Sequence, residues 1–175
     1  MLIICVGLKR AASTLQYQIC RELIRLQQRN IIDYGYSEDL KEIQKAVAER
    51  KTYDYSIIKT HCYFDYYKSI ENFEGIVFLS SYRDLRDASL SVMEAYSVSL
   101  NDLISRKWFE NEMKTLKNFE ELQNCLIQEY YQLTEKLDES IRQITKFLNI
   151  KVDNSIINNL KNSLNKKAQL KKIDH

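Results

Sequence analysis

The apolar run Leu2-Ile3-Ile4-Cys5-Val6 breaks at Gly7 into a short polar loop, Leu8-Lys9-Arg10-Ala11-Ala12-Ser13-Thr14. Beyond the loop, Leu15, Ile19, Leu23 and Leu26 recur at helical spacing. A short continuous apolar run marks a strand covered on both faces. Recurrence every three to four residues marks an amphipathic helix. The segment therefore reads as strand, tight loop and helix, the helix running from about Ser13 to Gln28. Such a junction turns loose backbone N–H groups and a helix N-terminus toward an anion. The chain has only three glycines and no proline, so Gly7 at this junction carries weight.

The rest of the chain repeats the alternation. Ser37, followed by Glu38, Asp39 and Leu40, predicts a capped helix to about Arg50. Tyr55–Lys59 and Gly75–Ser80 read as second and third strands, and Cys125–Tyr130 as a fourth. Asp84 or Asp87 caps a helix to about Tyr96, and Leu100–Leu122 forms one or two amphipathic helices. Further helices are expected at about Thr134–Leu148 and Asn154–Asn165. Strands alternating with helices imply a parallel sheet covered on both faces. The expected fold is a three-layer α/β/α domain with a short parallel sheet, of the P-loop NTPase-like kind. It occupies residues 1–175 as one domain, with about 161–175 (Lys161, Lys166, Lys167, Lys171 and Lys172) as a loose basic tail.

Composition narrows the function classes. The net charge of +2, from 26 basic and 24 acidic residues, makes no general case for a nucleic-acid partner. Cys5, Cys20, Cys62 and Cys125 form no C-x-x-C pair and read as reduced, mostly buried thiols. No apolar run approaches the ~20 residues that span a bilayer. Lys9 and Arg10 follow the first apolar run instead of preceding it, unlike a secretory signal. The expected location is the cytoplasm, with no membrane span.

The opening loop has the spacing of the nucleotide-binding pattern G-x-x-x-x-G-K-[ST], but Ala12-Ser13 stands where Gly-Lys would. The lysine that serves Mg-ATP is missing, and Lys9 and Arg10 supply cations earlier. Two other strand ends carry comparable groups: Lys59-Thr60-His61 after the second, and Ser80-Ser81-Tyr82-Arg83-Asp84-Leu85-Arg86-Asp87 after the third, with Ser89 and Ser91 beyond. In open parallel sheets ligands bind outside the carboxyl ends of the strands. Three such ends, each with a cation and a hydroxyl, form a site for a ligand with more than one phosphate-like group.

These residues resemble the sulfotransferases that use 3′-phosphoadenosine 5′-phosphosulfate (PAPS). Lys9-Arg10-Ala11-Ala12-Ser13-Thr14-Leu15 is similar to the family's P-[KR]-S-G-[ST]-T-[WL] loop, and Lys59-Thr60-His61 to its K-T-H element. Arg83 through Ser91 is similar to R-[DN]-P-[RK]-D-x-x-x-S, and Glu129-Tyr130-Tyr131-Gln132-Leu133 to x-Y-E-D-L. The resemblance spans about residues 1–150. It implies that Lys9, Arg10, Ala11, Ala12, Ser13, Thr14 and Leu15 bind the donor's 5′ side, with Arg10 on the phosphosulfate. It assigns the 3′-phosphate to Arg83 and Ser91, places Lys59 near the transferred sulfuryl group, and makes His61 the base for the acceptor hydroxyl. PAPS is then the donor, 3′,5′-adenosine bisphosphate (PAP) the product and a small molecule or glycan the acceptor, with no metal. Ala12 stands where the family has Gly, at a cost of about 1 kcal/mol if φ is positive there. Leu85 replaces a Pro, and no R-K-G-x-x-G-D-W element follows.

Two other functions compete with this one: a small P-loop kinase, and a P-loop module that binds without turnover. Taken singly, each motif also has a plain reading. His61 reads as a loop histidine, Lys59 as a solvent-facing strand end, and Arg83 as part of an ion-pair cluster with Asp84, Arg86 and Asp87. Trp108 and the tyrosines Tyr53, Tyr55, Tyr63, Tyr66 and Tyr67 read as packing. The acceptor pocket falls to the variable loops, Cys62–Asn72 and Ser97–Asn118.

Overall fold

The computed structural model describes residues 1–27, 29–61 and 64–164. Five parallel strands, β1 (Leu2–Cys5), β2 (Ile31–Tyr36), β3 (Tyr55–Lys59), β4 (Ile76–Tyr82) and β5 (Cys125–Glu129), form a sheet in the order β2-β3-β1-β4-β5. Side chains alternate along a strand. Ile3 and Cys5 of β1 therefore enter one core, while Leu2 and Ile4, with Val6 just beyond, enter the other. Ile57 and Ile58 of β3 divide the same way, as do Leu79 and Phe78 of β4.

Helices α1 (Ser13–Arg25), α8 (Leu137–Phe147) and α9 (Asn154–Leu164) close the first core with Ile19, Leu23, Ile141, Ile144 and Leu160. Helices α2 (Leu40–Glu49), α3 (Phe64–Ile70) and α6 (Trp108–Glu120) close the second with Ile43, Val47, Tyr67 and Phe119. Each fully buried Ile or Leu contributes ~1.5–3 kcal/mol of transfer free energy, so the two apolar faces of the sheet hold the three layers together. The remaining helices, α4 (Leu85–Tyr96), α5 (Leu100–Ser105) and α7 (Tyr130–Glu135), lie around the carboxyl ends of β4 and β5 in sequence.

The three-layer parallel architecture matches the expectation from sequence, with differences in detail. β2 is a fifth strand that the sequence pattern does not announce. It lies at the sheet edge, so its burial is partial, and Asp33 and Gly35 interrupt its apolar residues. Its register against β3 shifts between Asp33 and Tyr36, around Gly35 at φ +72°. Asp39, not Ser37, caps α2: its carboxylate accepts from the Lys41 N–H at 2.9 Å, while Ser37 Oγ accepts from the Asp39 N–H. A carboxylate at this place also complements the helix dipole.

The stretch 100–122 divides into α5 and α6 at Lys107, whose left-handed backbone (φ 52°) stops the first helix. Segment 134–148 divides at Lys136 into the end of α7 and the start of α8. The expected loop at 62–72 contains α3, with Tyr67 fully buried, and Cys62 and Tyr63 lie outside the described residues. Lys161, expected in a tail, belongs to α9 and pairs with Asp138 at 3.3 Å. The other four lysines of that stretch lie outside the described residues. Cys5 and Cys20 are buried and Cys125 partly so. No helix among the described residues is long and apolar enough to cross a membrane.

Candidate functional site

Parallel pairing brings all five strand carboxyl ends to one edge of the sheet, and a cleft of about 640 Å³ opens there. The loop after β1 contributes Lys9, Arg10, Ala12, Ser13 and Thr14. Lys59 comes from the end of β3 and His61 from just beyond it, Arg83 and Ser91 from the β4–α4 segment. Nine predicted site residues thus share one cavity although they are distant in sequence. Ala11 does not line it, being fully buried beneath the loop. Leu15 faces a second cavity of about 510 Å³, which adjoins the first across Ala12, Thr14 and Tyr130.

The loop is shaped by backbone more than by side chains. Gly7 (φ +142°) presses against β4, where a Cβ would lie 2.6 Å from Ser81 Oγ and 2.9 Å from Ser81 N. The Val6 and Leu8 N–H groups donate to the Leu79 and Ser81 carbonyls at 2.7 and 2.9 Å, stitching the loop's start to β4. Arg10 (φ 63°) and Ala12 (φ 62°) both adopt the left-handed conformation. Ala12 is the residue before α1, and no side chain among the described residues caps that helix. The first-turn amides of α1 therefore keep their capacity to hold an anion.

The cations gather around this N-terminus. Arg10 Nε donates to Ser91 Oγ at 2.9 Å, joining the loop after β1 to α4. The Arg83 guanidinium stacks over the Tyr130 ring at 4.0 Å and reaches the Arg10 carbonyl at 3.5 Å. Its Nε is buried with no hydrogen-bond partner among the described residues. The ion-pair reading of this cluster applies to Arg86, which grips Asp84 at 2.7 Å and holds its carboxyl down to about 2. Arg83 instead points a guanidinium nitrogen at nothing in the described chain. A buried donor left so costs ~1–3 kcal/mol, which an anionic ligand would recover.

Beyond the end of β3, His61 Nδ1 lies 2.8 Å from the Gly7 carbonyl and Nε2 lies 3.1 Å from Lys59 Nζ. Burial, then the Lys59 charge, pushes the imidazole below its usual range. Burial also lowers the Lys59 ammonium. Lys59 is 7% exposed, so it is not the solvent-facing strand end of the plain reading.

Several lining residues carry no signal at sequence level. Tyr36 and Glu38 enter the cleft because β2 runs alongside β3, a long-range pairing. Tyr17, Gln18 and Tyr96 join them, the first two recoverable only as neighbours of the loop on one helix. Glu112 of α6 reaches back across the fold: its carboxylate accepts from the Lys9 N–H, and burial raises it above the ordinary carboxylate range. The cleft then sets four cations, Lys9, Arg10, Lys59 and Arg83, against one lining carboxylate, Glu38, among the described residues. Such a balance favours a multiply anionic ligand.

No protein-family model matches the sequence, and no curated protein matches it. Solved structures do match. Mouse sulfotransferase SULT7A1 complexed with PAP aligns over 96% of this chain at a TM-score of 0.72 and 15% identity. Retinol dehydratase with androsterone and PAP aligns over 95% at 0.66 and 13%, and retinol dehydratase with retinol and PAP over 95% at 0.65 and 14%. The chain spans 65% of the length of each of these three. Its fold is that of the sulfotransferases crystallised with PAP.

Proposed function

We propose that this chain, as one domain over residues 1–175, transfers a sulfuryl group from PAPS to a hydroxyl or amine of a small-molecule or glycan acceptor, without a metal. The observation that carries the proposal is the buried Nε of Arg83, without a partner among the described residues, set beside the Arg10–Ser91 contact and the N-terminus of α1, which no described side chain caps. Two anion-holding groups side by side suit a nucleotide with phosphates at two positions. The donor, when bound, supplies a sulfuryl group carried on a phosphate leaving group.

The chain's own residues have these roles. Arg10 and the amides of Ser13 and Thr14 hold the 5′ side. Arg83 and Ser91 hold the 3′-phosphate. The second cavity, with Leu15 and Tyr130 on its walls, takes the nucleoside. Fixed cations and aligned amides stabilise charge that builds on the leaving oxygen, as in phosphoryl transfer, without rearranging during the reaction. Lys59 serves the sulfuryl group. Because a carbonyl only accepts, His61 Nδ1 must carry its proton toward Gly7, which leaves Nε2 as the basic atom that removes the acceptor's proton.

Calorimetry with PAP tests the reading. Binding is expected, and Arg83→Ala should weaken it about 10- to 100-fold, the worth of a charged hydrogen bond. The same variant should change 5′-AMP binding far less. No binding of PAP at high micromolar concentration rejects the proposal, and equal losses for both nucleotides reject the 3′-phosphate assignment. Preference for Mg-ATP would identify a kinase, and PAP binding without turnover of PAPS a binding module.

A further inference from the structure

Lys59 occupies the one atom through which His61 can act. His61 Nδ1 is committed to the Gly7 carbonyl, and Lys59 Nζ donates to Nε2 at 3.1 Å. An imidazole cannot accept a second proton while an ammonium donor fills that lone pair. We propose that Lys59, held in place by Tyr36, is a latch on His61 that an anion delivered to the loop releases, so that the base becomes available only after the donor is bound. This rests on the sulfotransferase reading for the identity of the anion, but not for the latch itself.

The holding residue is Tyr36. Its ring lies 4.5 Å from Lys59 Nζ and meets the His61 ring edge-on, at 5.9 Å and 61°. Its hydroxyl donates to the Glu38 carboxylate. The register shift in β2 at Gly35 sets this geometry, since a bulge re-aims the side chains that follow it. Tyr36 is 56% exposed, so a substitution there removes the ring from Lys59 without opening the core.

The charges around the pair favour release. Lys59 and His61 face Cys5 on β1, Glu38 and Tyr36 beyond the β2 bulge, and Lys9 on the loop. In the ligand-free state the Lys59 ammonium contacts an uncharged imidazole at 3.1 Å and the face of a ring at 4.5 Å, with the Glu38 carboxylate acting on it through space. A charge-assisted bond to an oxyanion is about twice as strong as one to a neutral acceptor. An anion seated beside Lys9 and Arg10 in the same cleft therefore draws Lys59 off Nε2. Donor first and acceptor second then becomes the order in which the site can work.

NMR titration of the His61 ring reads the latch directly. The chain has two histidines, so His175→Gln leaves a single imidazole signal. In ligand-free protein, Lys59→Met should raise the His61 midpoint by about one pH unit, the scale of a contacting like charge. Tyr36→Leu, at an exposed site, should raise it part of the way, and Tyr36→Phe should hold it near the wild-type value. PAPS, added without acceptor, should raise the wild-type midpoint and move that of Lys59→Met much less. An unchanged midpoint in both Lys59→Met and Tyr36→Leu overturns the latch. PAPS that binds by calorimetry yet leaves the wild-type midpoint in place overturns the release. Failure of any adenosine nucleotide to bind rejects the donor reading and the release step with it, while the ligand-free arm still decides the latch.

Discussion

Replacing Ala12 by Gly should stabilise this protein, against the usual direction of that substitution in a helix. Ala12 sits at φ 62°, ψ 22°, immediately before α1. An L-residue in the left-handed region pays roughly 1–2 kcal/mol for the approach of Cβ to the following carbonyl. Glycine removes that cost but loses about 0.5–1 kcal/mol of backbone entropy on folding. The difference is a gain of about 0.5–1 kcal/mol, or roughly 1–4 °C in Tm for a chain of this size. Equilibrium urea denaturation at 25 °C, with m unchanged, measures it, and calorimetric melting gives the temperature shift. Ala48→Gly, at an exposed position inside α2, is the control and should cost up to about 1 kcal/mol. If Ala12→Gly also destabilises, by 0.5 kcal/mol or more, then Ala12 behaves as an ordinary helical residue. The strained-loop account of the turn before α1 would then be wrong.

Gly7→Ala should act in the opposite sense, because its Cβ meets backbone atoms of Ser81 at 2.9 and 3.0 Å in a conformation that L-residues rarely adopt. A loss of about 2–5 kcal/mol is expected in urea melts, and a change below 1 kcal/mol would show that β1 and β4 separate there without resistance. Glu112→Gln keeps an acceptor for the Lys9 N–H but cannot ionise. Burial raises the folded-state value of Glu112 above the ordinary 4.5, so its contribution to stability is full below that value and is lost as pH rises through the folded one. Stability measured from pH 4 to 7 should therefore fall less in Glu112→Gln than in wild type, and parallel curves would remove Glu112 from the loop's support. Gln128→Leu breaks a buried chain in which Gln16 donates to Gln128 at 3.1 Å and Gln128 donates to Ser140 O and Gln143. About 1–3 kcal/mol should be lost per group left unpaired, and a neutral result would mean the layers re-pair without it.

Much of the site was legible because its pieces are local. The run 2–6 followed by Gly7 announced a strand entering a loop, and Ser13 began the helix as expected. Lys59-Thr60-His61 and Arg83 through Ser91 lay at predicted strand ends, and parallel pairing brought them to the same cleft. β2 was not legible, since an edge strand need not be apolar on either face and Gly35 reads as a turn. With β2 went Tyr36 and Glu38. Glu112 was equally hidden, because a charged residue in an amphipathic helix normally faces solvent and nothing local says that α6 returns to the loop.

The sequence by itself determined the alternation of buried strands with amphipathic helices, and with it the three layers and the edge at which the cationic and hydroxyl side chains collect. Periodicity and strand ends are properties of a few neighbouring residues, and burial follows from them. Tertiary structure alone decided which groups those ends would meet: Arg83 against Tyr130, with Nε unpaired among the described residues, Arg10 on Ser91, and Tyr36 over Lys59. Each of these contacts joins segments far apart in the chain, whereas Lys59 meets His61 as a near neighbour in sequence. Their distances are set by strand order and register, which no local pattern encodes.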